Sequence, residues 1–149
     1  MPSVPGLRSP YAKVGRLVYF GRMLDKIRLN SAGKLPAEYV ANLGDGHPKF
    51  LDGRCCHFLR VPFGELVERT LLGGSDDEIL DWAFKKGGPR SDEECLIWNG
   101  FVTRLGWRDE SSMRLQQRVR EFGLEGRAIE TFFDLFDADE GRTPGGHLS

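Results

Sequence analysis

The chain contains no run approaching the roughly 18 consecutive apolar residues that a membrane span requires. It also lacks an excess of charge: 21 Lys and Arg stand against 22 Asp and Glu, for a net charge of −1. A near-neutral balance supplies no general attraction to nucleic acid or to an anionic membrane, so neither is expected as a partner. Cysteine is scarce and odd in number, with Cys55 and Cys56 adjacent and Cys95 alone. Such a set is not a disulfide framework, and a reduced, cytoplasmic setting is expected. The first ten residues carry Pro2, Pro5 and Pro10 and lack the apolar segment of a secretory signal. Glycine-rich phosphate loops, a Gly-x-Ser-x-Gly elbow and a His-Glu-x-x-His pair are all missing, and no cofactor is expected.

What is present reads as a single domain. A chain of 149 residues buries about 68–70% of its unfolded surface, enough for its own core. The apolar fraction of 40% and charged fraction of 29% are those of an ordinary globular protein. Two octets set the frame: Ser75-Asp76-Asp77-Glu78-Ile79-Leu80-Asp81-Trp82 and Ser91-Asp92-Glu93-Glu94-Cys95-Leu96-Ile97-Trp98. Both match Ser-Asp-x-Glu-x-Leu-x-Trp, the capping-box pattern of a helix start. Their spacing is too short for a solenoid repeat, and no third copy exists. They predict two consecutive helices with Trp82 and Trp98 as core anchors.

Other helices follow from periodicity and punctuation. Leu17, Phe20, Leu24 and Ile27 predict a first helix from about Tyr11 to Leu29, weakened by Gly15 and Gly21. Pro36 suits the start of a short helix reaching Leu43, and Gly44-Asp45-Gly46-His47-Pro48 is a turn cluster. Residues 50–61 read as helix or extended segment, with helix favoured. Pro62 opens a helix ending at Gly73-Gly74. The Ser91 helix, apolar on nearly all sides, is expected to be the most buried. Weaker helices span about Ser111 to Phe122 and Arg127 to Phe136. No β-alternation is evident. The expectation is an all-α, single-domain bundle of five to seven short helices. An extended arm covers residues 1–10, the helical domain 11–136 and a flexible tail 137–149.

The residues best suited to binding lie in the first helix: Arg22, Asp25, Lys26 and Arg28. At 100° per residue Arg22, Asp25 and Lys26 fall away from the apolar stripe and Arg28 at its edge. One carboxylate among three cations describes either an anion site or a solvated face with weak ion pairs. Cys55-Cys56-His57 lacks zinc spacing, since adjacent cysteines diverge, and no metal is expected. As a thiol–base pair, Cys56 and His57 point about 100° apart. The bland reading is two partly buried thiols and a polar histidine. The Gly44–Pro48 cluster reads as a ligand loop or a plain connection.

The segment Arg22-Met23-Leu24-Asp25-Lys26-Ile27-Arg28, followed by Gly33-Lys34-Leu35-Pro36 and Tyr39, resembles a bacterial family catalogued as domain of unknown function 5069. Leu51-Asp52 and Asp77-Glu78-Ile79-Leu80-x-Trp82 are similar to it too, and the resemblance covers about residues 8–107. It implies no activity, only that Arg22, Asp25, Lys26 and Arg28 merit first attention. The expected function is a non-catalytic helical module binding a small anionic ligand or a protein partner, with Arg22, Asp25, Lys26, Arg28 and His57 at the site. Two alternatives stand beside it. One is an enzyme pairing Asp25 and Lys26 with His57 or His47 for acid–base work. The other is a structural protein forming homo-oligomers through the Phe132/Phe133/Phe136 helix.

Overall fold

The computed structural model describes residues 3–143. Among them the chain forms eight helices and one two-stranded sheet, so the architecture is mostly helical, with one helix more than the upper expectation. The order is β1 (Lys13–Val14), β2 (Leu17–Val18), α1 (Phe20–Ser31), α2 (Ala37–Val40), α3 (Leu51–Leu59) and α4 (Phe63–Leu71). These are followed by α5 (Asp76–Gly87), α6 (Asp92–Thr103), α7 (Ser112–Glu121) and α8 (Phe132–Asp139).

The first helix is shorter than its periodicity suggested. Residues 13–18 turn back in an antiparallel hairpin that pairs Lys13 with Val18 and Val14 with Leu17. Gly15, at φ 57, occupies the first turn position, where glycine relieves the strain of a two-residue connection. Leu17 therefore belongs to a strand, and its agreement with the helical stripe of Phe20, Leu24 and Ile27 was a coincidence of spacing. Tyr19 makes the corner into α1 at φ 73, an uncommon conformation for a bulky residue. Its amide is held by the carbonyl of Pro10 at 2.9 Å.

Helix α1 is the hub. Every residue from Phe20 to Ile27 is buried, and the helix packs on α4 and on the hairpin. Phe20, Met23, Leu24 and Ile27 meet Leu59, Leu66, Ile79, Trp98 and Phe133 in one continuous core. The Ser91 helix, α6, was expected to hold this place. It buries only Cys95, Trp98 and Val102 and leaves the opposite face open. Trp98 is a core anchor as expected, whereas Trp82 is half-buried and packs against the core from outside.

Both capping boxes form. Ser75 Oγ accepts from the Glu78 amide at 3.1 Å, and Glu78 Oε1 accepts from the Ser75 amide at 2.9 Å. Ser91 and Glu94 repeat the same two distances. Residues 51–59 are helical, as favoured.

Both chain ends pack onto the domain. In the arm before β1, Val4, Leu7 and Pro10 are buried. The C-terminal stretch was expected to be a flexible tail from residue 137, yet α8 runs to Asp139, and Asp137, Ala138 and Glu140 are buried. Its polar composition misled, because those side chains have partners inside the protein. Residues 144–149 of the expected tail lie outside the described residues. Of the three phenylalanines offered as a self-association surface, Phe133 is fully buried, while Phe132 and Phe136 are half-buried.

Candidate functional site

The charged side chains of α1 project into the protein rather than into solvent. Arg22 is 3% exposed, Asp25 7% and Lys26 6%, while Arg28 is half-buried. The side turned away from the core stripe is covered by the N-terminal arm, α3 and the end of α8, which bring groups of opposite charge, and by α2, which brings the Tyr39 hydroxyl. Isolated buried charges cost far too much to persist, so each has been matched.

Arg22 faces Glu140 in a bidentate pair, Nη1 to Oε1 at 2.8 Å and Nη2 to Oε2 at 2.6 Å. The planar fork of guanidinium fits a carboxylate in this way. Arg22 Nη1 also donates to the Arg8 carbonyl at 3.1 Å, and the group lies 5.2 Å from the centre of the Phe136 ring. Glu140 accepts further from Tyr39 Oη at 2.9 Å and from Arg142 Nη1 at 2.5 Å. Arg142 ties the end of the chain to the arm by donating to the Leu7 carbonyl. Burial alone would raise the Glu140 pKa, but the hydrogen bond from Arg22, its charge and the bonds from Arg142 and Tyr39 hold it below the usual glutamate value. Burial likewise opposes the Arg22 charge, and the Glu140 carboxylate outweighs it.

Lys26 enters a second cluster. Its ammonium lies 2.8 Å from Asp52 Oδ1 and donates to Tyr19 Oη at 2.9 Å, and Tyr19 donates to Asp52 Oδ1 at 2.6 Å. Asp52 Oδ2 accepts from the Gly44 amide at 2.8 Å, so the turn cluster after α2 serves as a clamp on a buried carboxylate. Burial lowers the Lys26 pKa even against the opposing pull of Asp52, and burial together with Asp52 pushes the Tyr19 phenol well up. The unusual backbone of Tyr19 has its structural use here, since it brings the phenol to both partners.

Asp25 belongs to a third group near the surface. Arg8 reaches it through Nε at 2.8 Å, Nη2 at 2.9 Å and its own amide at 3.1 Å. Gly21 makes room for this approach, because a Cβ there would lie 2.5 Å from Arg8 Nη1. Arg8 and Arg28 both meet Asp76 at 2.8 Å, at the N-terminus of α5. Burial works to raise the Asp76 pKa, but the two guanidinium groups prevail and lower it.

The structure thus brings Arg22, Asp25, Lys26 and Arg28 onto one helix but gives each a partner from elsewhere in the chain. His57 does not join them: it is exposed on α3. His47 is exposed too, accepting from the Lys49 amide at 3.1 Å. Among the described residues, the hydrogen bonds and ion pairs of Asp25 and Lys26 engage no histidine. Lys26, Tyr19 and Asp52 have the makings of a proton relay, yet all three are buried away from solvent, with Asp52 0% exposed. Cys55 and Cys56 are buried, and burial pushes the Cys56 thiol up to about 12, the reverse of an activated nucleophile. Among the described residues no group of three or more His, Cys, Asp or Glu is placed to hold a metal ion.

Residues missed in the sequence outnumber those found: Arg8, Tyr19, Asp76, Asp137, Glu140 and Arg142. Asp52 and Tyr39 were visible only through the family resemblance. The one physical signal for Glu140 was its place directly after an aromatic helix, where a carboxylate needs a reason to stay.

Two of the features that open to solvent bear on recognition. A groove of about 310 Å³ between the hairpin, α5 and the start of α6 is lined by Arg16, Arg90, Asp77, Asp81, Asp92 and Cys95, among others. Its carboxylates outnumber its guanidinium groups, which disfavours an anion. The second is the outer face of α6, where Leu96 and Ile97 are each 65% exposed and Phe101 46%. The Arg54 guanidinium lies 5.7 Å from the centre of the Phe101 ring and orients it.

No curated protein and no solved structure matches the sequence. A family model does, over residues 4–142, well beyond the 8–107 that the motifs suggested. The matched span takes in the buried pair of Arg22 and Glu140 as well as the whole of α6. The chain belongs to the family described as Domain of unknown function (DUF5069).

Proposed function

We propose that the protein is a non-catalytic helical module that acts by docking a protein partner on the outer face of α6. The observation that carries this reading is the exposure of Leu96, Ile97 and Phe101 together on one side of a well-capped helix. Exposed apolar residues scattered singly are normal, but three on one short helical face form a patch suited to association. The internal pairing of Arg22, Asp25, Lys26 and Arg28 supports the protein over a small anion as the bound species. An anion seated at Arg22 would have to displace Glu140 from a bidentate contact.

The test is site-directed photo-crosslinking in cells that carry the protein naturally. A benzophenone amino acid replaces Ile97 in one variant and Glu68, an exposed polar position on α4, in another. The reading expects a discrete covalent adduct at position 97 and none at 68. No adduct at 97, or equal adducts at both positions, overturns it.

A further inference from the structure

Helix α6 carries a self-complementary order of side chains on its open face. Counted at 100° per residue, Glu93, Leu96, Ile97, Gly100, Phe101 and Arg104 share one side, and Cys95, Trp98 and Val102 share the opposite, buried side. Glu93 lies at one end of the open face and Arg104 at the other. Neither forms an ion pair among the described residues. In the middle Gly100 leaves a notch into which the exposed Arg104 guanidinium reaches, its Nη1 lying 3.6 Å from a Cβ built there and donating to the Gly100 carbonyl at 3.4 Å.

We infer that the partner docked on α6 is a second copy of this chain, bound antiparallel about a two-fold axis midway between Trp98 and Asn99. The inference rests on the docking surface proposed above and names its occupant. An antiparallel two-fold pairing brings position i of one helix opposite position j of the other, and j opposite i. With the axis at that point, Glu93 of each copy faces Arg104 of the other, which seals both ends of the contact with opposite charges. Ile97 packs beside its own symmetry mate and against the second copy's Phe101. Leu96 lies over the second copy's Gly100, whose missing side chain lets the two backbones approach. A parallel pairing would set Glu93 against Glu93 and Arg104 against Arg104, and like charges exclude it. The contact is one helix per copy, about 18 Å long, which is small for an interface. The dimer is therefore a weak, reversible one.

Sedimentation equilibrium on the full chain, across micromolar to sub-millimolar concentrations, tests this with charge reversals at two exposed positions. Wild-type protein is expected to dimerise reversibly. Glu93→Arg alone and Arg104→Glu alone each weaken association by about tenfold or more, because symmetry repeats every repulsion. The double variant Glu93→Arg/Arg104→Glu restores it to within about threefold, and so does an equimolar mixture of the two single variants. Circular dichroism confirms that all variants fold. A wild-type chain that stays monomeric throughout, or a double variant no better than the singles, overturns the inference. The photo-adduct at position 97 keeps the two readings apart. An adduct of other than twice the chain mass leaves docking on α6 standing and removes the second copy, whereas no adduct removes the docking surface itself.

Discussion

Helix α1 carries four charged residues within Arg22–Arg28, and three of them are buried; α6 carries Leu96, Ile97 and Phe101, and all three are exposed. Hydropathy alone would have exchanged the two helices. What separates them is the supply of partners. Around α1 the arm, α3 and the end of α8 deliver Arg8, Asp52 and Glu140, so its charges are neutralised at hydrogen-bond distance. Among the described residues the outer side of α6 keeps Leu96, Ile97 and Phe101 exposed, while its inner side fills the core with Trp98 and Val102. The charged helix is therefore a structural centre, and the apolar face of α6 is where we place recognition.

The comparison breaks most readily at Asp52. Asp52→Ala leaves the Lys26 ammonium buried without a counter-charge, and removal of one partner from a buried pair costs about 3–5 kcal/mol. Urea unfolding followed by tryptophan fluorescence measures this loss. A smaller effect with a definite sign lies at Glu140. Its pKa is lower in the folded protein than its ordinary value, so its stabilisation is full above the ordinary value and lost as pH falls through the folded one. The stability gap between wild type and Glu140→Gln is thus expected to be widest near neutral pH and to close in acid. Asp137 is raised by burial and, to a lesser degree, by the Glu140 charge, so it acts in the opposite sense and narrows that difference. Melts across a pH series report it.

The caps sharpen the contrast between burial and anchoring. Ser75→Ala and Ser91→Ala are each expected to cost about 1 kcal/mol, although α6 is open along one face and α5 is not its equal in exposed apolar surface. Equal losses in thermal melts establish that α6 is a fixed platform rather than a frayed edge. The smallest change is expected at the patch itself. Leu96→Ser removes apolar surface already in water, so its effect on unfolding stays within about 0.5 kcal/mol while association weakens. Matched urea titrations and sedimentation runs detect the divergence.

Local signals made part of this legible. The capping boxes at Ser75 and Ser91 involve residues three apart, and Pro62 and Gly73-Gly74 bracket α4 for reasons internal to the segment. The hairpin at 13–18 escaped notice because two residues per strand are too few to show alternation. Burial of Arg22 was beyond reach, since its partner lies 118 residues away in sequence and in a segment that reads as a polar tail. Helical counting placed Arg22, Asp25 and Lys26 correctly on the side away from the apolar stripe. It carries no information on what the rest of the chain brings to that side. The same limit hid α6, whose apolar residues match a central helix as well as they match an open docking face.

Charge on α1 holds the fold, whereas apolar surface on α6 does not. This is tested most directly by the unfolding free energies of Arg22→Ala and Ile97→Asp, measured against wild type in parallel urea titrations. A loss of about 3 kcal/mol is expected for Arg22→Ala, which leaves the buried Glu140 carboxylate to Arg142 and Tyr39 alone, and a change within about 0.5 kcal/mol for Ile97→Asp. An Arg22→Ala protein as stable as wild type, beside an Ile97→Asp protein that unfolds, would contradict it.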